Sequence, residues 1–352
     1  MHTLADWLLY LENLHPIGID MGLTRIQSVV DRMGVKPLCP VITVAGTNGK
    51  GSCCAMLTQI FSAAGYQVGT FTSPHLLRYN ERIAINGRPV SDALIVQAFA
   101  QIEAARTQAP VVSLSYFEFN ALAAVLVFNA QADEVMVLEV GLGGLLDAVI
   151  VFDTDCAIVA SIDYDHQAYL GSTLEAIAYE KAGVFRKNKP AICGQSDVPQ
   201  TLIQHAEQLG ANLALIGRDF GYYQTDSHTQ QWDFWAADYR RHGLPLPALR
   251  GQFQLQNAAC VLMALQQLHD ILPVSMNAIR AGLVQVELVG RFQVLAGRPV
   301  VVLDVAHNPH AAKALAHNLQ KMGFFSQTYA VFAMLADKES EAVIRLVQNE
   351  VQ

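Results

Sequence analysis

The chain lacks any run of 18 or more apolar residues, the length a membrane-crossing helix needs, and its opening MHTLADWLLYLENL carries acids but no basic n-region. Neither a membrane span nor a secretory signal is expected. Charge is also scarce: 15% of the 352 residues are charged against 52% hydrophobic, a balance that suits a buried core and excludes a disordered chain. Cations are the scarcer sign, 23 Lys and Arg against 31 Asp and Glu, and the formal charge of −8 disfavours nucleic acid as the main partner. An anionic ligand would then need a locally basic site. The six cysteines (Cys39, Cys53, Cys54, Cys156, Cys193, Cys260) form no C-x-x-C pair. Several fall in expected core strands or helices, as small buried hydrophobes of a reducing cytoplasm would. The length suggests about two domains.

What the chain does contain is concentrated in Val41 to Ser52, VITVAGTNGKGS. An aliphatic segment bounded by Pro40 predicts a short buried strand; small residues, a Lys and a Ser then open the helix KGSCCAMLTQIFSAAG. This is a phosphate loop. Gly46, Gly49 and Gly51 let the backbone approach a polyphosphate, and the following helix aims its unpaired N–H groups and positive dipole end at the anion. Lys50 is placed to reach the outer phosphates and Ser52 to ligate Mg²⁺. The spacing departs from G-x-x-x-x-G-K-[ST], because Val44 stands where the first Gly would be and Gly51 separates Lys from Ser. A glycine-rich turn without a ligand would explain the glycines but not Lys50 and Ser52 behind an aliphatic strand.

Further along, a helix is expected over residues 3–14, then a Pro-Ile-Gly break, then helical spacing again at Leu23, Ile26, Val29 and Val30. By its residues alone this pair reads as helices packed on the sheet. YQVGTF is a second strand, followed by a loop of roughly twenty residues, long enough to be functional, whose His75 reads alone as a surface histidine. Ser91-Asp92 caps a helix to about Thr107. In the helix SYFEFNALAAVLVFNAQ, Glu118 is either a capping carboxylate or a pocket group. EVMVLEV ends in Glu139 beside a Gly-rich turn, where an α/β sheet places ligand groups and phosphate-loop enzymes hold Mg²⁺. His166 lies just past the strand CAIVASI and is an acceptable metal ligand when neutral. Lys181 comes late in a helix, by position a surface cation. PAICG, a helix from Pro199 to Leu209 and ANLALIG continue the α/β alternation, and residues 218–249 read as a small antiparallel insertion. Asn257 starts an amphipathic helix, PVVVLD is a fresh strand ending in Asp304, Asn308-Pro309 opens another helix, and YAVFAML reads as a strand.

GTNGKGS resembles the nucleotide loop of the Mur ligase superfamily, in particular its dihydrofolate synthase/folylpolyglutamate synthase branch. Similar segments cover nearly the whole chain: residues 72–83 (TSPHLLRYNERI), Ser115 to Glu118, Glu180-Lys181-Ala182-Gly183, Gly290-Arg291-Phe292 and Asp304 to Pro309. The resemblance implies an α/β fold: a P-loop-type, mostly parallel sheet domain over 1–295 that binds ATP and folate, then a Rossmann-like glutamate ligase domain over 296–352. That second domain is expected to be incomplete by on the order of 70 residues. The implied reaction is ATP-dependent addition of L-glutamate to dihydropteroate, giving dihydrofolate, and to folyl-(poly)glutamates, through an acyl phosphate. By the same resemblance Gly46, Thr47, Asn48, Gly49, Lys50, Gly51, Ser52, Asn257, Arg291, Asp304, His307 and Asn308 bind ATP. Ile19, Asp20, Met21, Ser115, Tyr116, Phe117, Glu118, Leu146, Asp147 and Ala148 form the folate side, and His75 lies near the site. Ser52, Ser73, Glu139, His166 and a CO₂-carbamylated Lys181 would hold two Mg²⁺ ions, with Lys50, Lys181 and His166 acting in catalysis.

Departures stand beside the likeness. An Arg and an Asn of the family's loop after the Glu139 position are Leu145 and Ile150 here, the Pro before Gly-Arg-Phe is Val289, and Ala333 and Glu339 replace a Gly and an Asp. A charge-assisted hydrogen bond is worth roughly 1.5 to 3 kcal/mol, so the changes at Leu145, Ile150 and Val289, and still more an incomplete second domain, imply ATP binding with weak ligation. The alternatives are a folylpolyglutamate synthase alone, a catalytically weakened nucleotide-binding homologue, or a cell-wall Mur ligase, whose usual additional N-terminal domain has no room before residue 46. A cytoplasmic monomer acting on small molecules, without nucleic-acid or membrane partners, is expected.

Overall fold

The computed structural model describes residues 2–224, 231–237, 239–251, 253–323, 325–335 and 339–351. Its first half runs α1 (Leu4–Leu14), α2 (Thr24–Met33), β1 (Val41–Ala45), α3 (Lys50–Ala63), β2 (Val68–Phe71), β3 (Ile83–Ile85), β4 (Arg88–Pro89), α4 (Asp92–Arg106), α5 (Tyr116–Ala130), β5 (Val135–Glu139) and β6 (Cys156–Val159). It continues through α6 (Gln167–Leu170), α7 (Leu174–Ala182), β7 (Pro190–Cys193), α8 (Gln200–Leu209), β8 (Asn212–Leu215), β9 (Phe220–Tyr223), β10 (Gln231–Ala236), β11 (Tyr239–Pro245), α9 (Gln254–Gln267) and α10 (Met276–Gln285). The last elements are β12 (Gln293–Leu295), β13 (Val301–Leu303), α11 (Pro309–Lys321) and α12 (Ser340–Val347).

The expected α/β architecture is present. The main sheet has the order β4-β3-β2-β5-β1-β6-β7-β8, and β1 pairs in parallel with both β5 and β6. All five residues of β1 are buried because helices cover both faces: Val41 and Ala45 pack into one core, Ile42 and Val44 into the other. The first core is closed by α1, α2, α4, α5, α7 and α8, the second by α3, α9, α10 and the small antiparallel sheet β11-β10-β9 expected over 218–249. Local signals set the helix starts. Thr3 and Asp6 form a capping box on α1, and Ser115 and Glu118 form another on α5, a device worth about 1 kcal/mol.

Two sequence readings change. The stretch after β2 is not an open loop, because Ile83–Ile85 returns antiparallel to β2 and the left-handed pair Asn86-Gly87 turns the chain into β4. Asn-Gly is the two-residue hairpin signal. YAVFAML is not a strand: residues 329–335 are assigned no regular structure, Val331 is fully exposed, and no strand among the described residues pairs with them. The Asp337-Lys338 part of the next segment lies outside the described residues. Downstream of the main sheet, β12 pairs antiparallel with β13, and α11 packs on α12 over a small separate core of Ala312, Ala316, Val343 and Val347.

Candidate active site

Parallel strands present their carboxyl ends to ligands, and the strand order brings four such ends side by side. Across β2, β5, β1 and β6 these ends carry Ser73, Glu139, the phosphate loop and the segment leading to His166. They open on one cavity of about 440 Å³. Within it lie Gly46, Thr47, Asn48, Gly49, Lys50, Gly51 and Ser52 from the loop, together with Ser73, Glu139, His166 and Lys181.

The loop is held from the β6 side by residues that the sequence reading did not single out. Ser161 Oγ accepts from Asn48 N–H and reaches Asn48 O, both at 2.9 Å, and Ser161 O accepts from Thr47 N–H at 2.9 Å. Thr47 Oγ1 donates to Asp163 O and accepts from Asp163 N–H, each at 3.0 Å. Thr47 thus shapes the loop with its side chain. Gly49 is required twice over: its φ is +86°, and a Cβ there would sit 2.5 Å from Asn257 Oδ1. Lys50 Nζ curls back to Gly46 O at 2.9 Å, which fixes its charge above the helix start.

Glu139 is 4% exposed, and burial pushes its carboxyl above the usual range against the opposing pull of Lys50 and the Ser73 N–H. That N–H donates to Glu139 Oε2 at 3.1 Å, joining the β2 and β5 ends. His166 adopts φ +49° just before α6, with Asp165 beside it. Lys181 corrects its sequence reading, being 3% exposed rather than a surface cation. The reason is the Gly141–Asp147 loop, which covers the end of α7: a Cβ on Gly144 would lie 2.4 Å from Glu180 O and 3.0 Å from Lys181 Cα. Burial, reinforced by the Lys50 charge, brings the Lys181 ammonium down to about 7. Among the described residues no three His, Cys, Asp or Glu side chains gather as a metal cage. The candidate donors are two hydroxyls, one acid and one imidazole, and a set dominated by oxygen suits a hard divalent ion that keeps water and phosphate ligands.

The opposite wall is built by residues after 250. Asn257, Arg291, Asp304 and His307 line the cavity. Asp304 accepts from Phe292 N–H at 2.8 Å and Ala306 N–H at 2.7 Å, which braces the turn under Arg291. Asn308 does not line the cavity. It caps α11 by accepting from Ala311 N–H, and its amide donates to Asn48 Oδ1 at 3.1 Å, while Asn48 Nδ2 lies 3.0 Å from His310 Nδ1. His310 in turn packs on Phe253, ring centroids 4.6 Å apart. Phe253 and His310 are further wall residues with no motif of their own.

The residues expected on the folate side do not line this cavity. Phe117 and Met21 press on the same loop: Cβ atoms on Gly141 and Gly143, both cavity residues, would lie 2.6 Å from Phe117 Cζ and 3.3 Å from Met21 Cε. Ser115 and Glu118 cap α5, Tyr116 faces the Arg82 guanidinium, and Ile19 is exposed. Arg82 also donates to His75 Nδ1, so His75 belongs to this wall rather than to open surface. Asp147 is buried and holds Leu142 N–H and Val149 N–H, Ala148 is buried, and Leu146 is 39% exposed. Of the departures, neither Leu145 nor Ile150 lines the cavity. Leu145 N–H donates to Glu180 O with its Cα over Gly183, and Ile150 packs on the core while its carbonyl accepts from Arg186.

A central phosphate-loop strand, an acid on its neighbour and a second unit closing on the loop define an ATP-dependent ligase of the Mur type. Residues 44–265 match the Mur ligase middle domain and residues 290–351 the Mur ligase glutamate ligase domain. Dihydrofolate synthase/folylpolyglutamate synthase of Escherichia coli is 44% identical over 349 residues, 99% of this chain and 80% of that protein; its Haemophilus influenzae counterpart is 42% identical over 97% and 79%. The chain belongs to the dihydrofolate synthase/folylpolyglutamate synthase family. Among solved structures, E. coli FolC with DHPP and ADP superposes with a TM-score of 0.93 at 44% identity over 99% of this chain and 82% of that one. A bifunctional folylpolyglutamate synthase/dihydrofolate synthase with Mn, AMPPNP and L-glutamate gives 0.90 at 42% over 100% and 82%. No helix among the described residues is long and apolar enough to cross a membrane.

Proposed function

We propose that this chain uses ATP to join L-glutamate to dihydropteroate and to folates that already carry glutamate. The observation that carries the reading is the single cavity on which the phosphate loop, Glu139, Lys181 and the Arg291–His307 wall converge, in a chain whose relatives are solved with ADP, DHPP, AMPPNP and L-glutamate. The N–H groups at the start of α3 and Lys50 hold the phosphates; Asn257, Arg291, Asp304 and His307 meet the nucleotide across the cleft. Ser52, Ser73, Glu139 and His166 would hold Mg²⁺, and Lys181 would serve a second ion if its free amine adds CO₂ and loses one proton to become a carbamate. Bound there, the ions would neutralise charge on the transferring phosphoryl group. The substrate carboxylate attacks the γ-phosphorus as the bond to the β–γ bridging oxygen breaks and ADP leaves. The glutamate amine then attacks the acyl carbon, phosphate departs, and the amine gives up a proton. Met21, Phe117 and the Gly141–Asp147 loop wall the folate.

A coupled ADP-release assay tests this. Glutamate-dependent turnover is expected with dihydropteroate and with folylmonoglutamate. Turnover with the folate alone would reduce the reading to a polyglutamate synthase, and none with either would leave a nucleotide-binding homologue.

A further inference from the structure

Arg25, on the first turn of α2, joins the two segments that wall the folate side. Its Nη1 meets Asp20 Oδ2 at 2.7 Å, its Nη2 donates to Asp20 O at 2.7 Å, and its Nε donates to Glu118 Oε2 at 3.3 Å. Asp20 is held from the other side as well, by His15 Nε2 at 2.9 Å, and His15 Nδ1 lies 2.9 Å from Ser113 Oγ. An ionised carboxylate only accepts, so His15 directs its Nε2 proton at Asp20. A continuous chain therefore runs from Ser113 through His15, Asp20 and Arg25 to Glu118, whose Oε2 also takes Ser115 N–H at 2.7 Å.

The position of that chain matters more than its length. Asp20 precedes Met21 and Glu118 follows Phe117, and Met21 and Phe117 are the side chains that press on Gly143 and Gly141 of the cavity loop. Arg25 thus ties together residues 20 and 118, the chain neighbours of Met21 and Phe117, with one planar fork. A lysine at 25 would keep the charge but offer no planar fork to span two acids. Glu118 is nearly buried and Arg25 is three-quarters covered, so the pairing is shielded from solvent.

We infer that Arg25 is a positioning residue for the pterin-bearing substrate, acting through Asp20 and Glu118 without reaching the nucleotide site. The inference rests on the functional reading above. With the purified 352-residue chain, KM for dihydropteroate, KM for ATP and kcat are measured for wild type, Arg25→Met, Arg25→Lys and Asp20→Asn. Arg25→Met is expected to raise KM for dihydropteroate about tenfold or more, as loss of a charge-assisted hydrogen bond would, with KM for ATP and kcat within about twofold. Arg25→Lys should recover part of the loss, and Asp20→Asn should move the same constant in the same direction. A fall in melting temperature with unchanged dihydropteroate KM in Arg25→Lys and Asp20→Asn would reduce Arg25 to a structural clamp and overturn the inference, even if Arg25→Met fails to fold. Absence of dihydropteroate-dependent turnover in the wild type would overturn the functional reading and this inference together; wild-type turnover with flat variant KM values overturns this one alone.

Discussion

At the scale of single residues, Lys181 is a group whose surroundings change its chemistry near neutral pH. Its folded-state value near 7 lies below the ordinary 10.5, first through burial and then through Lys50. Between these values the unfolded chain holds a proton that the folded chain lacks, so the contribution to stability rises with pH from about 7 towards 10.5. Below 7 both states hold the proton, and the folded protein carries a buried ammonium at its full disadvantage. In metal-free, CO₂-free buffer, wild type should therefore gain stability relative to Lys181→Met as pH rises from 7 to 9, by at most about 1.4 kcal/mol per unit, read by urea unfolding. A constant difference across that range would mean that the amine is not perturbed. The same free amine is what CO₂ attacks, and carbon-13 NMR in labelled bicarbonate reads the carbamate directly. No signal, combined with full activity in Lys181→Ala, would remove the second-ion role.

At the scale of elements, the segment Gly141 to Asp147 is a wedge driven between α5, the N-terminal segment and α7. Its glycines are needed for close approach, and Gly144 is the tightest, with only the backbone of Glu180 and Lys181 opposite. A methyl group there cannot be absorbed by a side-chain rotation. Gly144→Ala should cost about 1 to 3 kcal/mol, in the range of overpacking, and should lower turnover beyond what the loss of folded protein explains, because the loop and Lys181 part together. Ordinary turnover per folded molecule in Gly144→Ala would show that the wedge serves stability alone. The sequence made part of this legible. Ser73, Glu139 and His166 each stand just past an aliphatic strand, and strand ends are where a parallel sheet gathers ligands. Lys181 in the site came only through the family motif, since a helix-end position says nothing about the loop that buries it. Ser161 and His310 were not legible as site residues, because their partners lie 113 and 262 positions away, and Arg25 has a near partner in Asp20 but its link to Glu118 spans 93 positions; no local pattern encodes such distant pairings. The β3–β4 hairpin is encoded locally, in Asn86-Gly87.

For the molecule as a whole, the question is how the part after residue 290 senses the nucleotide. One set of contacts centres on Asn48 at the tip of the phosphate loop, which exchanges hydrogen bonds with Asn308, the cap of α11, and lies 3.0 Å from His310 Nδ1; Asp165 also reaches Asn308 and His307, and Phe253 packs on His310. Among the described residues the small core under α11 and α12 has four buried side chains, so this contact is part of what holds α11 in place. A nucleotide that orders the loop should therefore also order α11. At 100 times its dissociation constant a ligand stabilises the state it binds by about 2.7 kcal/mol, an upper limit of about 100-fold slower amide exchange wherever opening is coupled to release. Exchange measured with and without MgADP should slow in the first turn of α3 and in α11 of the wild type. In Asn308→Ala combined with His310→Ala, α3 should keep its protection while α11 gains none. Equal protection of α11 in the double variant would show that the two parts communicate by a route other than Asn48, such as the Asp165–His307 pair or the Arg291 turn that Asp304 braces beside Gly51.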